Sequence, residues 1–364
     1  MKRIHSQDVY GLFNDKNTKR KILKVNLPPK KRQQHQQPPQ SNTPATMICH
    51  QKQKTDSDFS SFSSSDIDSY HKVKHLGKGM YGVVYQAIDK RTNKLVAIKK
   101  IRQTKEDANY GLSTTILREI NLLKETKSHK NIVSLHHYFF TKRISGTINC
   151  VYLVMDFVPM NLRQYIEGTT TLIHPDNVKK IMRQVIEAVD YLHTNLILHR
   201  DLKPDNILID PMSNDIKLTD FGISRRFHPA LPNRQYTNEV VTIWYRSPEL
   251  LSGATCYGSE IDVWSIGCVM VELITKAPLF PCDNENQEQQ LSIIKNVLRL
   301  PYCCLKCHHS NLQRIVHNHL DTYGIYLLSR LLEINPHDRI SCCQALVTSY
   351  LDNDDKNQTI DSLH

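Results

Sequence analysis

His199-Arg200-Asp201-Leu202-Lys203-Pro204-Asp205-Asn206 is followed, fourteen residues after Asn206, by Asp220-Phe221-Gly222. Ahead of these two polar segments, Val178, Ile181, Met182, Val185, Val189 and Leu192 recur at the spacing of a long amphipathic helix. Beyond them lies the densest apolar run, Ile261 to Thr275, which Asp262 and Glu272 interrupt, so it reads as a buried helix and not as a membrane span. Upstream the texture changes. Val73, Leu76, Val83, Val84 and Tyr85, then Leu95 to Ile98 and Val151 to Met155, are short β-prone runs separated by Gly or by turn residues such as Thr92-Asn93-Lys94. Among them Ile116, Ile120 and Leu123 fall at i, i+4 and i+7, with Ser113, Thr114 or Thr115 placed to cap a helix. The pattern predicts an α+β, bilobal fold: a small β-rich lobe over 70–158 with one key helix, and a larger α-helical lobe over 159–351. Thr141 to Cys150 reads as an extended loop between strands.

The chain has 364 residues and a net charge of +11. Residues 1–40 carry +8, residues 41–69 carry −2, and the body is only mildly basic, so charge does not demand a nucleic-acid groove. Residues 1–69, rich in Gln, Pro, Ser and Lys, show no apolar periodicity and are expected to form a disordered arm, with 352–364 a short polar tail. The clusters Lys19-Arg20-Lys21 and Lys30-Lys31-Arg32 fit a nuclear-import signal. Met1-Lys2-Arg3-Ile4-His5 leads into no apolar segment, so no secretory signal is expected and the ten cysteines are read as reduced thiols. Cys303-Cys304-Leu305-Lys306-Cys307-His308-His309 has C-x-x-C spacing, but no second such pair completes a standard zinc site.

Gly77-Lys78-Gly79-Met80-Tyr81-Gly82-Val83-Val84 sits between strand-like runs, where missing side chains let backbone N–H groups approach phosphate. A dinucleotide-binding turn would open a helix here, whereas Val83-Val84-Tyr85 continues as strand. Val96-Ala97-Ile98-Lys99 ends an apolar run on a lysine, and Glu119 lies on or beside the apolar stripe of the following helix. A carboxylate there wants a cation, and Lys99 is the obvious one. Phosphoryl transfer to a hydroxyl needs a proton acceptor, Mg²⁺ ligands and cations for the phosphate. Asp201, then Asn206 with Asp220, then Lys203 with Lys99, answer those needs in turn.

With these motifs in order and Ser247-Pro248-Glu249 behind them, residues 70 to about 351 resemble the eukaryotic protein kinases. Gly111 to Ile120 is similar to the cyclin-binding helix of the cyclin-dependent kinases, and Tyr236 to Glu249 looks like their activation segment. The resemblance implies ATP and Mg²⁺ as cofactors. It implies a nucleotide site built from Gly77, Lys78, Gly79, Met80, Tyr81, Gly82, Val84, Ala97, Lys99 and Asn206. Met155 would gate the back of the adenine pocket, and the backbone of Asp156 and Val158 would meet the base. It further implies that Arg118, Arg200 and Arg225 converge on a phosphorylated Thr237, three guanidinium groups otherwise repelling one another. A cyclin and an activating kinase acting on Thr237 are the implied partners.

Lys203 resembles the serine/threonine pattern, with Thr242 bridging Asp201 and Lys203. Val241 and Arg246 match the positions that shape a pocket for proline after the target, so Ser-Pro and Thr-Pro substrates are expected. Tyr81 is a candidate inhibitory phosphorylation site. Asp262 is expected to bind the catalytic-loop backbone and Glu249 to pair with Arg339. Met80 and Asp205 depart from the cell-cycle members, and Pro301 to Asp321 is shorter than the family's insert. A cyclin-independent mitogen-activated-type kinase would carry T-x-Y where this chain has Tyr236-Thr237, and a non-catalytic scaffold would have lost one of Lys99, Asp201, Asn206 or Asp220.

Overall fold

A computed structural model describes residues 64–79, 82–103, 111–142, 146–227, 243–283, 286–298 and 308–352, with the side chains of 64, 65 and 308–311 excepted. The arm up to residue 63, the tail from 353 and the Cys303–His309 side chains therefore lie outside the described residues.

Five antiparallel strands form the small lobe's sheet: β1 (Tyr70–Gly79), β2 (Gly82–Asp89), β3 (Lys94–Arg102), β4 (Leu135–Lys142) and β5 (Ile148–Asp156), in the spatial order β1-β2-β3-β5-β4. Asn93, at φ 55°, supplies the left-handed residue that turns β2 into β3. The register sets Lys99 opposite Val84 on one side and Leu153 on the other, and Ala97 opposite Met155. Alternation along β3 then splits the sheet's two faces. Ala97, Lys99 and Ile101 point one way and Val96, Ile98 and Lys100 the other.

The segment read as a long loop is largely strand. Thr141 pairs with Cys150 and Lys142 with Ile148, which confines the connection to residues 143–147. Buried Phe139 stacks on Tyr152 across this ribbon at 4.9 Å, a packing gain that outweighs the polar look of the intervening sequence.

Gly82 lies close against the backbone of β3. A Cβ at Gly82 would lie 2.3 Å from the Lys100 carbonyl oxygen. Backbone cannot swing aside as a flexible side chain does, so Gly82→Ala is expected to cost about 1–3 kcal/mol, seen as a lower urea midpoint at unchanged slope.

The small lobe's helix, α1 (Thr114–Glu125), starts at Ser113, whose hydroxyl accepts from the Ile116 amide. It buries Ile116, Glu119, Ile120, Leu122 and Leu123. The large lobe contains α2 (Leu162–Gly168), α3 (Pro175–Thr194), α4 (Pro248–Leu251), α5 (Glu260–Thr275), α6 (Gln287–Leu298), α7 (His308–Val316), α8 (Thr322–Leu331) and α9 (Cys342–Leu346). The Val178-to-Leu192 stripe of α3 is buried as its spacing predicts. α5 is buried on all sides from Ile261 to Ile274 and forms the lobe's axis. Short strands β6 (Met160–Asn161), β7 (Ile197–Leu198), β8 (Ile207–Asp210), β9 (Asp215–Leu218) and β10 (Arg225–Arg226) surround the loops on the face toward the small lobe. Among the described residues no helix is long and apolar enough to cross a membrane.

Candidate active site

β7 delivers the chain to Arg200 and β9 delivers it to Asp220, and both residues sit at positive φ, 71° and 65°. Non-glycine residues hold that conformation only where their surroundings compel it. Around Arg200 the compulsion is Asp262, buried at the start of α5. Its carboxylate accepts from the His199 amide at 2.9 Å, from the Arg200 amide at 2.8 Å and contacts His193 Nε2 at 3.0 Å. Burial alone would raise the Asp262 pKa, but His193 and the loop amides outweigh it and hold the carboxyl below its ordinary value. His199 is tied on both sides: its Nδ1 accepts from the Asp201 amide at 3.3 Å, leaving Nε2 to donate to the Thr219 carbonyl at 3.1 Å. The two loops that carry the polar motifs are thereby stitched together.

Asp201 then faces the interlobe cleft. Lys203 Nζ lies 2.8 Å from its Oδ2, and Asn206 Nδ2 donates to both its carbonyl and Oδ2 at 2.8 Å. Burial raises the Asp201 pKa despite Lys203, which makes the carboxylate a better proton acceptor. Lys99 bridges the lobes, with Nζ 2.7 Å from Glu119 Oε1 and 3.0 Å from Asp220 Oδ1. Burial disfavours its charge, but Glu119 and Asp220 more than compensate and its pKa is raised. Asp220 is lowered in turn, burial being outweighed by Lys99, so it is a carboxylate at neutral pH.

These residues fit a divalent cation. Asn206 spends its amide nitrogen on Asp201, which turns its carbonyl oxygen the other way, and Asp220 spends Oδ1 on Lys99 and retains Oδ2. Hard oxygen donors of this kind suit Mg²⁺.

The cleft encloses about 960 Å³. Gly77, Lys78, Gly79, Gly82 and Val84 form its roof, and Ala97, Met155 and Val158 its back and rim. The Asp156 amide donates to the Ser134 carbonyl at 3.2 Å, which leaves its carbonyl as the group to meet a base. Its carboxylate faces away from that task. It accepts from the Ser134 amide at 3.0 Å, lies 2.8 Å from His136 Nε2 and 3.0 Å from Lys217 Nζ, and clasps the joint between the lobes. Val133 and Leu208 also line the cleft. Sequence reasoning passed over them, although Leu208, in the apolar run just after Asn206, carried a usable signal.

Of the three arginines expected to meet, Arg200 and Arg225 donate to the same Ile223 carbonyl, at 3.1 and 3.3 Å, and Arg118 is half-buried on α1 beside Glu119. Arg246 lines a small cavity with Asp201 and Asp262. Met80, Tyr81, Thr237, Val241 and Thr242 lie outside the described residues. Glu249 meets Arg339 through two contacts of 2.8 and 3.1 Å. A cluster missed from sequence joins Arg163 of α2 to Glu272 of α5, to Tyr245 at 2.6 Å and to Asp205 at 3.4 Å, with Tyr245 donating to Glu272 at 2.6 Å. Glu272 alone had been visible, as a charge in an apolar run. Residues 70–351 match the family model described as protein kinase domain.

Proposed function

Because the chain belongs to the protein kinase family, we propose that it is a serine/threonine kinase of the cyclin-dependent type, acting on Ser-Pro and Thr-Pro sites. As a protein kinase it phosphorylates protein substrates with ATP, and Mg²⁺ is the usual cofactor. Mg²⁺ neutralises the triphosphate when bound, and Asn206 and Asp220 would hold it. In this reading Asp201 takes the proton of the substrate hydroxyl. Lys203 and Lys99 carry positive charge toward the transferring phosphate, and Glu119 keeps Lys99 in place. Met155 closes the adenine pocket.

The observation that carries the reading is the 2.7 Å Lys99–Glu119 contact made across α1, together with the 2.8 Å Lys203–Asp201 pair. The first is the element a cyclin would hold, and the second belongs to the serine/threonine arrangement. Since Glu119 already meets Lys99 in the chain alone, a cyclin stabilises that position of α1 and does not create it. Phosphorylation of Thr237 by an activating kinase adds a dianion for Arg118, Arg200 and Arg225. Arg246 and Val241 support the proline preference, and the basic clusters of residues 19–32 support a nuclear location.

The test is a Ser-Pro peptide assay with and without a cyclin. Activity is expected to rise at least about tenfold with the cyclin, and Thr237→Ala is expected to lose most of that gain. Full activity of Thr237→Ala without a partner would sink the cyclin-dependent reading and leave the kinase intact.

A further inference from the structure

Ala97, Lys99 and Ile101 alternate along β3 on the side of the cleft, and Gln103 is the next residue of that series. Its backbone amide donates to the Asn149 carbonyl at 3.1 Å, which carries the pairing of β3 with β5 one step past Arg102. Gln103 is 6% exposed, and a side-chain amide so placed needs partners for both of its ends. It finds them on one short stretch of chain. Nε2 donates to the Gly111 carbonyl at 3.2 Å, and Oε1 accepts from the Ser113 amide at 3.1 Å.

Ser113 is the residue on which α1 begins. Its hydroxyl accepts from the Ile116 amide and its carbonyl from the Leu117 amide at 3.0 Å. Its own amide is the group that Gln103 takes, so all three of its polar groups are engaged. Gly111 stands at φ 98°, a conformation glycine holds without strain. The entry to α1 is thus tied on both sides of Leu112, whatever course residues 104–110 take.

These bonds close a circuit through the small lobe. Lys99 lies four residues before Gln103, Glu119 lies six residues after Ser113, about 9 Å along the helix, and the two charges meet at 2.7 Å. A helical turn moves as a unit, so any shift of Ser113 is passed on to Glu119. We infer that Gln103 is a positioning residue for phosphoryl transfer, its side-chain amide latching the start of α1 to the end of β3 and so holding Glu119 against Lys99. The inference rests on that ion pair serving the kinase reaction and is independent of any cyclin. It gives a physical reason for the pair's being formed in the chain alone: α1 is held from inside, and a partner pressing on it adds to a position already latched.

The experiment uses the full chain with two substitutions. Gln103→Met keeps the length of the side chain and removes both hydrogen bonds. Gln103→Glu keeps an oxygen for the Ser113 amide and removes only the donor. Peptide phosphorylation is expected to fall about tenfold in kcat for Gln103→Met and less for Gln103→Glu, with KM for ATP held within about twofold because the adenine contacts stay in place. Acylation of Lys99 by an amine reagent, located by peptide mapping and read without turnover, is expected to quicken in the same order, since Glu119 is one of the two carboxylates that keep Lys99 protonated. In a Glu119→Gln background, Gln103→Met is expected to change neither quantity by more than about twofold. That non-additivity is a readout that a loss of stability alone does not give. If Gln103→Met does not fold, judged by its urea midpoint, Gln103→Glu carries the same comparison. Unchanged kcat or unchanged labelling in the folded variant overturns the latch, as does an equal loss in both backgrounds. A wild-type chain that transfers no phosphate would count against the proposed function, and the labelling comparison would still decide whether Gln103 holds the pair.

Discussion

Asp201→Asn is expected to cut phosphoryl transfer by about 10²–10⁴-fold while leaving ATP affinity nearly unchanged. The asparagine preserves the shape of the side chain and keeps an oxygen for Asn206, which donates to Oδ2 at 2.8 Å. What disappears is the capacity to accept a proton, and with it the negative charge that Lys203 faces at 2.8 Å. Burial raises the Asp201 pKa, which in the proposed reading favours proton transfer. Single-turnover kinetics beside a nucleotide-binding titration separate the two effects. A comparable loss of affinity would show that Asp201 holds the nucleotide and would remove it from the proton-transfer step.

Asp262→Ala is expected to be the most damaging single change to stability among the polar residues, at about 3–5 kcal/mol. Asp262 is 1% exposed and receives three contacts, from the His199 and Arg200 amides and from His193. Removing it leaves buried N–H groups with nothing to accept them and lets Arg200 leave its left-handed conformation. The same carboxylate sets an acid limb. Its folded pKa lies below the unfolded value, so its contribution is complete above about pH 4 and is lost as pH falls through the lower folded value. The gap in urea midpoint between the wild type and Asp262→Ala should therefore narrow as pH is lowered below about 4. If the gap between them stays constant with pH, ionised Asp262 is not what holds the loop.

Much of the site was legible because its chemistry depends on order along the chain. Lys99, Glu119, Asp201, Asn206 and Asp220 are far apart in sequence, yet each sits in a short motif whose residue types answer one need of the reaction. Asp262 was legible for a different reason, since a charge inside an apolar helix must be paid for by a partner, whereas the Glu249–Arg339 pair was expected from the family resemblance. The Asp156 clasp and the Arg163–Glu272–Tyr245 cluster were not legible, since exposed-looking lysines and arginines announce nothing about which acid they will reach once two lobes pack.

The Asp156 clasp bears on how the lobes open. Lys217, from the large lobe, also donates to the Lys130 carbonyl at 2.9 Å, so one ammonium holds the joint and the segment leading into β4 at once. Parting the lobes strains these contacts. A half-exposed imidazole and a lysine outside the cleft thus resist opening, and that resistance should weaken as ionic strength rises.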